Sequence, residues 1–517
     1  MRDDLAMVKL SFYGGVGEIG GNKILLEADD TRIFLDFGLS YGREDDYFEF
    51  PLLRPACIDD LFKTNILPRI CGLYKNGGLS VSYGDEGTPS VCGTPEECAI
   101  DGVLLTHAHM DHYGYLGMIR PDIPIYLSQI TRRLIELRND ARSDWQTDVN
   151  LESLRTVEQS IPFSIGNLKV RRFDVDHSVP GASAYLIQAG DKIIAYTGDL
   201  RFHGNNREAS EAFLQACKNT KVDILLCEGT RLGPPKTDDE QQAESHALGA
   251  EAEVEQKCRD ILSREDGLVI YDASPADMNR IKIVCRAAAA FGRTPVFDSR
   301  KAYLLLYLNH PDVLYPGLPK AGEFKIALSR IKQRGDKCED FGLPADLYTE
   351  AYTEYRQGPE AKLLTAQKPA KKGNGDNSNG LLPLPDDTFF WGSQREEVLQ
   401  HPERYLLYTS NGPNTLLQFL PADGRKINGT YIYGKAEPFE EEMELSFARL
   451  RHWLDLCGLK LEYAHTSGHM HQPDVVRFVS EINAKVVIPI HTEHPTLFRQ
   501  WANDVRIVQY GETLEFL

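Results

Sequence analysis

Four potential metal ligands, His107, His109, Asp111 and His112, fall within six residues of the segment Thr106-His107-Ala108-His109-Met110-Asp111-His112-Tyr113-Gly114. Imidazole and carboxylate are donors that zinc, manganese and iron accept. The chain holds only 14 histidines in 517 residues, so chance does not account for three of them beside an aspartate. Side chains two apart in an extended segment point the same way, which pairs His107 with His109. Asp111 and His112 lie where the chain turns into a helix, and they can face a second ion beside the first. Such a centre supports hydrolysis, because divalent ions acidify water and neutralise charge that builds on the group under attack.

Three further segments carry suitable donors: Asp176-His177-Ser178, Thr197-Gly198-Asp199 and Pro489-Ile490-His491-Thr492. Each follows a short strand-like run, at 170–173, 193–196 and 486–488 respectively. A strand end is where a sheet can present several loops to one site. Taken singly, each histidine reads as an ordinary packed or solvated side chain. Beside the first cluster they read as further ligands.

The elements around them follow from hydropathy and turn residues. Strand-like runs are expected at 8–13, 23–27 and 32–37, with the glycine-rich stretch 14–22 as a tight connection near the active face. Residues 41–100 lack periodicity and are read as an insertion. Their four cysteines, Cys57, Cys71, Cys92 and Cys98, are spaced unlike a zinc knuckle or ribbon. Strands follow at 103–106, 125–127, 193–197 and 224–227. After Gly229 the texture changes to an acidic, alanine-rich helical stretch at 238–263, then a strand at 268–271, a helix at 278–290 and a strand at 295–297. This alternation predicts a separate α/β domain. The stretch 371–380 is a low-complexity loop. A helical run at 440–456 precedes strands at 459–463, 486–490 and 505–509. A chain of 517 residues exceeds what one core serves, so two or three domains are expected.

Composition narrows the class. Hydrophobic residues make up 42% and charged residues 26%, an ordinary globular balance. The N-terminus has early acids and no apolar core, and no stretch is apolar enough to span a bilayer, so neither a signal peptide nor a membrane partner is expected. Ten cysteines without a C-x-x-C pair read as reduced thiols in a cytoplasmic protein. The net charge of −19 argues against a protein that coats nucleic acid. It is compatible with a nuclease, because bound cations add positive charge locally and a basic groove can sit on an acidic body.

The H-x-H-x-D-H pattern at 107–112 is the signature of the metallo-β-lactamase superfamily. Cys227-Glu228-Gly229-Thr230 resembles the acidic motif that opens the β-CASP insertion. Ser467-Gly468-His469 is similar to the second β-CASP motif, and Pro489-Ile490-His491 to the third. Gly14-Gly15-Val16-Gly17-Glu18-Ile19-Gly20-Gly21-Asn22 resembles the start of the ribonuclease J enzymes. The segments 176–182 and 196–199 are also close to their patterns. These motifs occur in family order over nearly the whole chain.

The resemblance implies an αββα metallo-β-lactamase sandwich with an inserted β-CASP α/β domain and the active site in a cleft between them. The expected limits are 1–229 for the first part of the sandwich, 230–455 for the β-CASP domain and 456–517 for the return segment. Carried over, His107, His109 and His177 would hold one zinc ion and Asp111, His112 and His491 the other, with Asp199 bridging; manganese is the other candidate ion. Asp111, Glu228 and His469 would be the catalytic groups, and Ser467, Gly468 and His469 would meet a substrate phosphate. The implied activity is phosphodiester hydrolysis in single-stranded RNA, endonucleolytic, 5′-exonucleolytic or both. The histidine in the third motif favours RNA. The alternatives are a DNA nuclease of the same family and a degenerate nucleic-acid-binding partner that has lost catalysis. His465 and His471 match no motif position and read as structural. Phe390, Trp391 and Tyr408 are candidate stacking aromatics that read more simply as core. Ribonuclease J carries a further C-terminal domain, whereas this sequence stops soon after His491. The stretches 41–100 and 310–395 also exceed a minimal core, so substrate handling and oligomeric state, a homo-oligomer included, are expected to differ.

Overall fold

In the first strand Val8, Leu10 and Phe12 alternate with Lys9 and Ser11, the period of a strand that buries one face. The computed structural model describes residues 7–49, 52–75, 81–83, 89–91, 100–141, 147–234, 248–274, 277–309, 315–327, 332–334, 337–339, 386–390, 395–421, 423–435 and 441–517. Packing divides the chain into two units, Met1–Pro235 with Gly468–Leu517, and Lys236–Ser467.

The first unit contains two sheets. One has seven strands, in the spatial order Thr513–Phe516, Val8–Phe12, Ile24–Ala28, Thr31–Leu35, Gly102–Leu104, Ile125–Leu127 and Leu154–Thr156. The other has six, in the order Val486–Ile490, Ile224–Glu228, Lys192–Tyr196, Ser183–Ala189, Leu168–Asp174 and Phe163–Ile165. Their inner faces meet in one core that joins Leu10, Phe12, Ile33 and Leu104 to Tyr185, Ile194, Leu226 and Ile488. Each such apolar side chain, taken out of water, stabilises the fold by about 1.5–3 kcal/mol. Outside the first sheet, Phe34 and Val103 pack with Leu61, Phe62 and Ile135 of the flanking helices. Outside the second, Ala195, Leu225 and Val487 pack with Phe213 and Leu214 of helix Arg207–Thr220 and with Val475 and Phe478 of helix Gln472–Ile482. The layer order is therefore αββα.

The second unit is built on a parallel sheet in the order Phe389–Phe390, Lys325–Ala327, Thr294–Asp298, Tyr405–Thr409, Leu268–Ala273, Gly429–Gly434 and Leu459–Tyr463. Helices Gly412–Phe419 and Glu441–Cys457 cover one face through Leu416, Phe419, Leu450 and Leu454. Helix Met278–Ala290 starts at Asp277, whose side chain accepts the Arg280 amide.

Two expectations change. No strand forms over 505–509: only Val505 bridges to Val487. The chain then turns at Gly511 (φ +80°), and its last strand, Thr513–Phe516, pairs with Val8–Phe12 in the other sheet. The thiols are not all reduced. Cys71 is disulfide-bonded, which also removes it as a zinc ligand, whereas Cys57 is free and exposed. Cys92, Cys98, Trp391 and the low-complexity loop 371–380 lie outside the described residues. Among the described residues no helix is long and apolar enough to cross a membrane.

Candidate metal centre

The potential ligands sit where strands end. His107 and His109 follow Gly102–Leu104, and His109 in extended backbone caps the short helix Met110–Tyr113 that carries Asp111 and His112. His177 follows Leu168–Asp174, Asp199 follows Lys192–Tyr196 and His491 follows Val486–Ile490. The Ser183 amide donates to the Thr106 carbonyl (3.0 Å), tying the two sheets together at this edge. His491 (φ +51°) and Asp36 (φ +56°) hold left-handed backbone, a strain of about 1–3 kcal/mol each that persists where the surroundings over-determine it.

Two groups of donors result. In the first, His107, His109, His177 and Asp199 each offer an atom within 4.8 Å of the others; in the second, Asp111, His112, Asp199 and His491 do the same. Asp199 belongs to both. His109 Nδ1 lies 3.0 Å from His107 Nε2 and 3.1 Å from His177 Nε2. His491 Nε2 lies 3.1 Å from Asp111 Oδ2, and His112 Nε2 lies 3.1 Å from Asp199 Oδ2.

The outer hydrogen bonds fix which ring nitrogen faces inward. Thr106 Oγ1 donates to Asp36 Oδ2 (2.8 Å), so it accepts from His107 Nδ1 (2.9 Å). Thr230 Oγ1 donates to Glu228 Oε2 (2.7 Å), so it accepts from His491 Nδ1 (2.8 Å). His177 Nδ1 donates to the Gly468 carbonyl (2.6 Å) and His112 Nδ1 to Asp36 Oδ2 (2.7 Å). Four imidazoles thus turn Nε2 toward the centre, the arrangement by which outer partners orient metal-bound histidine.

Burial pushes the His107 and His177 imidazoles well below the ordinary histidine range and His109 down to about 4, which keeps them neutral donors. Burial also disfavours charge on His112, but Asp199, Asp111 and Asp36 outweigh it and raise that imidazole well above its usual value. Burial likewise raises the Asp199 and Asp111 carboxyls, yet His112 leads the neighbouring imidazoles in pulling both well below the carboxylate range. Asp199 Oδ1 is buried and has no hydrogen-bond partner among the described residues. Converging nitrogen lone pairs, a carboxylate oxygen without a donor and a field that favours positive charge together fit divalent cations.

A family model described as a beta-lactamase superfamily domain matches residues 88–253. Ribonuclease J of Mycobacterium tuberculosis is 30% identical over 208 residues, covering 39% of this chain and 34% of the relative. Ribonuclease J 2 of Streptococcus pyogenes is 23% identical over 298 residues, 57% of this chain and 46% of that one. Transcription termination factor FttA of Methanocaldococcus jannaschii is 25% identical over 242 residues, 43% and 31% of the two chains. The chain thus spans about a third to a half of the length of these relatives. The crystal structure of a protein of unknown function from Enterococcus faecalis V583 aligns with a TM-score of 0.69 over 99% of this chain and 100% of that one, at 20% identity, and shares the fold. This chain resembles ribonuclease J and the β-CASP proteins of the metallo-β-lactamase superfamily.

Glu228 is fully buried and ties three loops together: Oε1 accepts from the Leu200 amide (3.1 Å) and faces the Met470 amide (3.5 Å), and Oε2 accepts from the Thr230 amide (3.2 Å). It acts on the donors through Thr230 and Asp199's neighbour Leu200. His469 joins neither donor group but stands beside both. Its Nδ1 lies 3.1 Å from Thr230 Oγ1, 3.4 Å from Glu228 Oε2 and 3.8 Å from Asp199 Oδ2. A Cβ on Gly468 would come within 2.9 Å of Ser178 Oγ, so glycine suits that close approach. Ser467 is the last residue of the second unit. His471 caps helix Gln472–Ile482 and stacks on His203, and His465 Nδ1 meets the Gly434 carbonyl (3.1 Å). Phe390 and Tyr408 are buried in the second unit.

The sequence reading misses Asp36. Fully buried, it accepts from the Thr106 amide (2.7 Å), Thr106 Oγ1, His112 Nδ1 and Tyr196 Oη (2.6 Å). The available signal is an aspartate directly after the apolar strand Thr31–Leu35, whereas Asp199 stands three residues past the end of its strand, Lys192–Tyr196. Asp36→Ala should weaken metal binding about 10–100-fold, the usual scale for a partner behind a ligand. Calorimetric zinc titration of this variant at wild-type affinity would count against the orienting role.

Proposed function

We propose that the protein is a metal-dependent nuclease that hydrolyses phosphodiester bonds, with single-stranded RNA as its preferred substrate. The observation that carries this reading is the pair of donor groups joined at Asp199. In this reading the second unit is the β-CASP domain inserted into the metallo-β-lactamase domain. His107, His109, His177 and Asp199 would hold one zinc ion, and Asp111, His112, His491 and Asp199 the other. Manganese is the alternative, since carboxylate donors suit it. Bound ions of this kind acidify water toward neutrality and offset charge on a phosphoryl group.

The chain's own residues supply the rest. Asp111 is 18% exposed where His107, His112, Asp199 and His491 are 0–1% exposed, so it is the carboxylate that solvent reaches and orients the attacking water. His469, 20% exposed, holds Nδ1 against Thr230 and Glu228 and gives its proton to the leaving oxygen. Gly468 lets the substrate backbone approach.

Support for RNA comes from His491 in the third β-CASP motif and from the names of the ribonuclease J relatives. The net charge of −19 agrees, because gripping a long duplex requires many cationic contacts with its backbone. Direct competition at fixed salt between a single-stranded RNA and a duplex DNA of equal length should show faster cutting of the RNA. Faster cutting of the duplex would promote the DNA-nuclease reading, and no cutting of either by the metal-loaded protein would favour a degenerate binding partner. A time course on 5′-labelled RNA separates mononucleotide release from internal cleavage.

A further inference from the structure

Lys23 is fully buried in the interior of the first unit, a position where packing alone calls for an apolar side chain. Its ammonium donates to two backbone carbonyls, Gly21 O at 2.8 Å and Gly38 O at 2.9 Å, and lies 5.4 Å from the centroid of the Tyr115 ring. Gly14 leaves room for it, since a Cβ there would sit 2.9 Å from Nζ. Gly21 belongs to the glycine-rich connection and Gly38 to the segment after Asp36, so one side chain staples two loops.

Those two loops form a layer behind part of the metal centre. The Asn22 amide donates to Asp111 O (3.1 Å), Phe37 to His112 O (2.8 Å) and Leu39 to Met110 O (2.9 Å). Gly38 donates to Asn22 O (2.9 Å), which closes the layer, and the His491 amide donates to Gly15 O (2.7 Å). Gly20 and Gly38 press on the same turn: Cβ atoms on them would lie 2.7 Å from Asp111 Cβ and 1.6 Å from Asp111 O. The layer therefore supports Asp111, His112 and His491. His107 and His177 are oriented from other directions, by Thr106 and Gly468.

We infer that Lys23 is a positioning residue for one of the two metal groups, the ammonium holding the glycine-rich layer against Asp111, His112 and His491. The inference rests on the two-ion reading above. Its consequence is unequal: the ion held by Asp111, His112 and His491 depends on Lys23, and the ion held by His107, His109 and His177 does not. An apolar residue at 23 cannot reproduce the staple, because it would leave the Gly21 and Gly38 carbonyls without this donor.

The test is calorimetric titration of the full-length metal-free protein with Zn²⁺. Wild type should show two binding classes, and Asp111→Ala identifies the class built on that residue. Lys23→Met should weaken that same class by about tenfold or more, the scale of a lost supporting contact, and leave the other within about twofold. Lys23→Gln keeps a donor on a shorter, uncharged arm and should show the same selective loss, smaller in size. Equal weakening of both classes, or no weakening, overturns the inference. So does loss of fold in both variants, judged by circular dichroism, since Lys23 would then serve stability alone. A wild-type protein that binds no zinc overturns the two-ion reading itself and the inference with it.

Discussion

Asp199→Ala is expected to reduce hydrolysis by on the order of 10⁴-fold or more, the scale reached when one member of a set that acts as a unit is removed. The reason lies in what surrounds a single oxygen. Asp199 Oδ2 faces Nε2 of His112 at 3.1 Å, His107 at 3.5 Å, His491 at 3.7 Å and His177 at 3.9 Å. It is the one residue common to both donor groups. Alanine removes the negative charge that would let two cations stand close together, and it removes the one side chain common to both donor groups. The wild-type protein should carry about two transition-metal ions per chain, one for each donor group, and the variant should lose at least one of them. The backbone at 199 follows an intact strand, so the fold should survive; circular dichroism checks this. Asp199→Asn serves as a gentler control that keeps the shape and one oxygen donor without the charge. Near-normal turnover in the alanine variant, or full metal content, would show that the two groups do not share this carboxylate.

The centre is legible in the sequence to the extent that its donors are close along the chain or stand in motifs. His107, His109, Asp111 and His112 announce themselves because four donors in six positions have no other use at a strand end. Asp36 is opaque for the opposite reason. A single aspartate after an apolar strand looks like any turn residue until the fold places His112 against it, 76 positions away in sequence. Lys23 is misread as an ordinary strand residue, since nothing local shows that its amine will find two carbonyls inside the core. The same limit explains the C-terminal strand. The residues at 505–509 have the right alternation, but only Val505 meets a partner, and Thr513–Phe516 pairs because Val8–Phe12 offers a free edge. Periodicity reports which face of a segment is apolar; it does not report whether a neighbouring strand has hydrogen bonds left to give. The Cys71 disulfide is similarly invisible, because the spacing of cysteines along the chain does not describe their distance in space.

His469→Ala should slow cleavage of a polynucleotide by about 10²–10⁴-fold, the usual worth of a positioned proton donor, while metal content stays at the wild-type level. The imidazole is well placed for that part. It stands 5.1 Å from the His177 ring and 5.5 Å from the His491 ring, centroid to centroid, and so overlooks both donor groups without belonging to either. Burial disfavours its charged form, but Glu228 and Asp199 more than compensate, and its pKa is raised. Thr230 and Glu228 fix the ring by Nδ1, and the Gly468 carbonyl, held by His177, anchors the residue before it. A proton donor matters in proportion to how badly the leaving oxygen needs the proton. A sugar alkoxide is a poor leaving group and requires it, whereas a nitrophenolate departs unaided. The loss in the alanine variant should therefore be large on RNA and small on bis(p-nitrophenyl) phosphate, with wild type and variant measured at equal metal loading. Equal losses on both substrates would assign His469 to gripping the phosphate instead of protonating the leaving group. Loss of one metal ion from the variant would make it a ligand and sink both roles.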